Sequence, residues 1–122
     1  MLLFGGIIGG EFAIHAFLKS AAVDEVRPKL DADIDAVAVN GTRFEKPSEL
    51  LADLRGLRDA PAHHTHPTTG YRILLKTSQG PLELRMCRDS QNPHEYWVFY
   101  SGFYSTTTNE IGRVLTSALD GI

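Results

Sequence analysis

Three histidines in four positions, His63, His64 and His66, precede Pro67 and form the densest group of metal-binding side chains in this 122-residue chain. Neutral imidazole is the commonest protein ligand for transition metals, and a His-x-His pair such as His64 and His66 can set two ring nitrogens on one side of an extended segment. A catalytic zinc site needs a third protein ligand and an open position. His94, Asp89 or Glu95 can supply that ligand if their turn belongs to the same run of strands. His64, His66 and His94 are thus the candidate metal residues, with zinc as the cofactor they would take. The competing account is structural: the histidines cap a loop, donate to backbone carbonyls or lie in solvent, because a real metal site makes tight geometric demands.

The run His64-Thr65-His66-Pro67 resembles the histidine dyad of the JAMM/MPN metalloproteases. The resemblance implies an upstream Glu and a downstream Ser-x-x-Asp. It covers four residues, the run Tyr71 to Lys76 contains no such motif, and Glu11 is the nearest candidate for the distant acid. Asp89-Ser90 invites a nucleophile reading, but both residues favour turns through their own side-chain-to-backbone bonds. Cys87 falls on the expected wet face of a strand beside Arg85 and Arg88, whose charge would lower its pKa. Without a positioned histidine it is an inert surface or interface thiol. As the only cysteine it can form no intrachain disulfide.

Tyr96, Trp97, Phe99, Tyr100, Phe103 and Tyr104 crowd six aromatics into nine positions. Such residues dominate cores and also anchor interfaces and bilayer boundaries. Trp97, Phe99, Phe103 and Tyr104 are the candidate interface aromatics, because one sheet face of a small domain cannot readily hide all six.

These residues need elements to hold them. Ile34 to Val39 is a β-compatible run, Asn40-Gly41 is a hairpin signal, and Thr42 to Phe44 can return as a short strand. Pro47-Ser48 opens a helix with Ser48 as N-cap and Leu50, Leu51, Leu54 and Leu57 at helical spacing, ending near Arg58. Tyr71 to Thr77, Leu82 to Arg88 and Glu95 to Tyr100 predict an antiparallel meander over 71–100. Ile111, Val114, Leu115, Ala118 and Leu119 form a helical stripe and predict a C-terminal helix, although Gly112 and the β-branched residues also permit a strand. The fold class is α+β: an N-terminal apolar helix, then a small domain with an antiparallel sheet and one or two packed helices.

Leu2 to Leu18 is almost wholly apolar and contains Gly5, Gly6, Gly9 and Gly10, with Glu11 and His15 as its polar interruptions. Seventeen helical residues span roughly 25 Å, the lower limit for crossing a hydrocarbon core. Gly5/Gly9 and Gly6/Gly10 are overlapping small-x-x-x-small pairs, which let helices approach closely in lipid. Glu11 and His15 share nearly the opposite surface of the wheel. The segment therefore has two faces that want company, in a bilayer, in a soluble core or at a dimer interface. The division expected is 1–22 apolar helix, membrane-inserted in the first of these settings, 23–33 connector carrying Pro28, and 34–122 α+β domain. Lys19, Arg27 and Lys29 follow the segment, so insertion would put the domain on the cytoplasmic side; the other setting is soluble and cytoplasmic.

A net charge of −3 with scattered Lys and Arg lacks the basic stripe of phosphate-backbone binding, which makes nucleic acid an unexpected partner. The leading expectation is a non-catalytic accessory subunit that assembles with a protein partner or as a homo-oligomer, through its N-terminal helix and an aromatic strand. The alternatives are a metal-dependent hydrolase built on the His-x-His loop, and a soluble small-ligand-binding or homodimeric domain.

Overall fold

The computed structural model of the chain describes residues 19–59, 65–101 and 110–122. A first helix, α1, covers residues 19–31. It is followed by β1 (Ile34–Val39), β2 (Thr42–Arg43), α2 (Pro47–Leu54), β3 (Pro67–Thr77), β4 (Gly80–Asp89), β5 (Glu95–Tyr100) and β6 (Gly112–Leu115). The strands form one six-stranded antiparallel sheet in the order β2-β1-β3-β4-β5-β6, and the fold is α+β.

The hairpin between β1 and β2 forms at Asn40 and Gly41, which have φ of 52° and 84°. Two successive positive-φ residues match the right-handed twist of the flanking strands, and Asn and Gly tolerate that conformation best. Asn40 also fixes the hairpin to β3, since its side-chain oxygen accepts from the Arg72 amide at 2.8 Å.

Side-chain alternation divides the sheet into two faces. Tyr71, Ile73 and Leu75 of β3, Leu82, Leu84 and Met86 of β4, and Tyr96 and Val98 of β5 join Val26 and Leu30 of α1 and Leu50 and Leu54 of α2 in one apolar core. The opposite face carries Arg72, Leu74, Lys76, Glu83 and Arg85 in solvent, and Cys87, Trp97 and Phe99 in a separate buried cluster. β5 is buried on both faces, with Tyr96 and Val98 in the apolar core and Trp97 and Phe99 in the separate cluster on the other side.

Several expectations need correction. The span assigned to a connector, 23–33, is helical through residue 31 and passes straight through Pro28. Pro28 is exposed, and the packing of Ala22, Val26 and Leu30 at four-residue intervals outweighs the backbone hydrogen bond that proline removes. Arg55 closes the helix end by donating from Nε to the Leu30 carbonyl at 2.8 Å. In α2 the helix starts with Pro47 in its first turn and Lys46 as the residue before it, without a side-chain cap from Ser48. It stops at Leu54 because the chain turns away to bring Arg58 against Arg113.

The C-terminal helix is replaced by β6 and a following turn. Gly112 permits this: a Cβ there would lie 2.6 Å from the Arg58 carbonyl oxygen and 2.9 Å from Leu57 Cδ1. Reciprocal bonds between the backbones of Arg58 and Arg113, at 3.2 and 2.7 Å, then hold the edge of β6. Ile111, Val114, Ala118 and Leu119 are buried as the stripe predicted, but Leu115 points outward at 49% exposure, as a strand requires. Among the described residues no helix is long and apolar enough to cross a membrane; the run Leu2 to Leu18 lies outside them.

Candidate functional site

Among the described residues, buried charge gathers where β4, β5 and β6 run side by side. Cross-strand register sets Cys87 opposite Trp97 and Trp97 opposite Arg113, so all three project from the same face. The Arg113 guanidinium lies 3.7 Å from the centre of the Trp97 ring, close enough for cation–π attraction, and the residue is only 4% exposed. It donates to Glu95 at 2.8 Å, with Asp89 at 4.0 Å and Glu110 at 3.9 Å. A buried cation surrounded by carboxylates is a structural arrangement first, since each charge lowers the cost of burying the others.

Asp89 joins this cluster to the turn after β4. One carboxylate oxygen accepts from Trp97 Nε1 at 2.9 Å, and the other accepts from the amides of Gln91 and Asn92, both at 3.0 Å. Burial works to raise the Asp89 pKa, but the Thr65 hydroxyl, Trp97 and the two amides together outweigh it and hold the carboxyl well below the usual carboxylate range. Burial pushes Glu110 up instead, against the pull of Arg113 and Lys19. Asp89 is thus the turn residue its sequence context implied, with an added bond to an indole eight residues away that no local pattern announces.

A second polar group lies on the core face at the same end of the sheet. Arg88 donates to the Tyr96 hydroxyl from Nε at 3.2 Å and from Nη2 at 2.9 Å, and to the Tyr71 hydroxyl at 3.2 Å. Its pKa is raised, chiefly by the hydrogen bond with Tyr96, while burial raises that of Tyr96. Nearby, His94 Nε2 lies 3.0 Å from Asp120 Oδ2, and the His94 carbonyl accepts from the Thr116 amide at 2.9 Å. These bonds, with Thr116 donating to Asp53 at 2.7 Å, fasten the C-terminal turn over the sheet and α2.

The candidate metal residues divide accordingly. His66 is exposed, and its backbone pairs with Ser90; His94 is occupied with Asp120, and Asp89 and Glu95 are occupied with Trp97 and Arg113. No group of three His, Cys, Asp or Glu suited to a metal occurs among the described residues, and His64 lies outside them. Cys87 is not on a wet face: it is 2% exposed beside Trp97, and burial raises its pKa against the pull of Arg85. Trp97 and Phe99, expected at an interface, are 8% and 9% exposed in one cluster with Cys87, and Arg113 covers the Trp97 ring. Phe103, Tyr104, Gly5, Gly6, Gly9, Gly10, Glu11 and His15 lie outside the described residues.

A concavity of about 440 Å³ lies between the β1–β2 hairpin and the C-terminal turn, lined on its apolar side by Val39, Phe44, Ala118 and Ile122. No family model matches the chain, and neither does any curated protein or solved structure.

Proposed function

We propose that this protein is a small accessory subunit that works by binding, assembling through its N-terminal segment with a protein partner or with further copies of itself. The observation that supports this reading is the way α1 is tied to the domain directly after Leu18. Ala22, Val26 and Leu30 are sunk in the core, Arg27 donates to the carbonyls of Arg55 and Leu57, and Lys29 donates to the carbonyl of Pro81. A helix so fastened transmits position and orientation from an apolar segment to the sheet. A flexible tether would not need these bonds.

In this reading Gly5, Gly6, Gly9 and Gly10 form the close-packing face, and Glu11 and His15 meet polar groups of the partner. The favoured setting is a bilayer, with the domain on the cytoplasmic side. Trp97 and Phe99 serve it by stiffening the second face of the sheet rather than by offering side chains to solvent. The small-ligand alternative has the hollow beside Phe44 in its favour, since about 440 Å³ falls within the usual range for ligand pockets.

Partition between water and detergent tests the proposal. The full chain is expected in the detergent phase, and a chain lacking residues 1–18 in the aqueous phase with its cooperative melting retained. Equal aqueous partition of both chains, or loss of folding on deletion, would contradict it.

A further inference from the structure

On the open half of the second sheet face, the register places like charges side by side. Arg72 of β3 is directly opposite Arg85 of β4, and both are exposed. Directly opposed like charges weaken an antiparallel pair. Leu74, the next outward residue on β3, is 44% exposed, opposite Glu83 on one side and Ala38 on the other. Arg43 extends the row from β2, opposite Ala38, and Lys76 follows Leu74 along β3. The acid among these residues, Glu83, is 3.9 Å from Arg72, too far for a hydrogen bond, and among the described residues the Arg72 guanidinium has no side-chain hydrogen bond.

We infer that this face, with Arg72, Arg85, Arg43 and Lys76 around Leu74, docks an acidic segment of a partner protein whose carboxylates bridge the opposed arginines and whose apolar side chain covers Leu74. The inference rests on the reading that the chain works by binding, and it adds a surface separate from the N-terminal segment. Charge complementarity selects the occupant. Adjacent guanidiniums on neighbouring strands suit carboxylates, which they can grip with paired N–H donors. Glu83 inside the patch disfavours a uniformly anionic surface and favours a chain with its own pattern of charge. Burial separates the patch from Arg113 on the same face, whose Nη1 already donates to Glu95 and whose ring contact is Trp97.

The test uses the full chain in mild detergent and a fluorescent twelve-residue peptide of alternating Glu and Leu, read by anisotropy. Saturable binding is expected. It should weaken at least tenfold in Arg72→Glu with Arg85→Glu and several-fold in Leu74→Ala, and fall as salt rises. Circular dichroism should match the parent for each variant, since these side chains are exposed. Binding unchanged by the double reversal, or no binding by the parent, overturns the inference. So does arginine-dependent capture by vesicles of 30% phosphatidylserine without peptide binding, which would make the face a membrane contact. Repeating the titration with Gly9→Leu separates the two proposals: peptide affinity is expected to persist where assembly through the N-terminal segment is lost.

Discussion

Arg113 and the Arg72/Arg85 pair project from the same sheet face and differ in almost everything else. Arg113 is 4% exposed, stacked on Trp97 and held by Glu95, with Asp89 and Glu110 close by. Arg72 and Arg85 are exposed and face each other, and the acid near Arg72, Glu83, is 3.9 Å away. The difference shows how one face of a small sheet can carry two roles. Where strand neighbours supply carboxylates and an indole, arginine becomes part of the architecture. Where they supply another arginine, its donors remain available to something outside the fold.

The largest effect should come from breaking the enclosed side. Arg113→Ala leaves buried Asp89 and half-buried Glu95 without their cation and is expected to cost about 3 to 5 kcal/mol in chemical denaturation. A loss below about 1 kcal/mol would place Arg113 with the open arginines.

Acid offers a smaller and more selective perturbation. Because the folded-state pKa of Asp89 is depressed, its stabilising contribution is present above the unfolded value of about 3.9 and is lost as pH falls below it. Glu110 acts in the opposite sense: its pKa is raised by burial, so protonation relieves a cost. Denaturation midpoints should therefore fall from pH 6 to pH 2.5, less steeply in Asp89→Asn and more steeply in Glu110→Gln. Parallel curves for all three proteins would remove Asp89 from the account.

The smallest effect belongs to the open pair. Arg85→Gln removes a like-charge opposition and should leave stability unchanged or raise it by a few tenths of a kcal/mol. A clear destabilisation would mean that Arg85 has a structural partner and is not available for docking.

Much of the sheet was legible because its signals are local. Asn40-Gly41 specifies a hairpin from its own backbone preferences, and the alternation of Leu82, Leu84 and Met86 with Glu83 and Arg85 specifies two faces. α1 was hidden because Pro28 is a local helix breaker while the compensating contacts of Val26 and Leu30 are tertiary. β6 was hidden because Ile111, Val114, Ala118 and Leu119 satisfy a helical period even when a strand and a turn bury them. Only the approach of Arg58 to Gly112 decides between the two. The cluster around Arg113 had no sequence signature, since Asp89, Trp97 and Arg113 converge through strand register alone. His94 has the side chain of a metal ligand, but its ring nitrogen meets Asp120, a partner 26 residues away that no local pattern marks.

The most direct test of the account is the mass of the assembled full-length chain in mild detergent, measured by light scattering on parent and Gly9→Leu protein. A parent species of at least two chains, or of this chain with a retained partner, that falls to a single folded chain in Gly9→Leu is the predicted result. A parent that is already a single chain, or an assembly that Gly9→Leu leaves intact, would contradict assembly through the glycine face of the N-terminal segment.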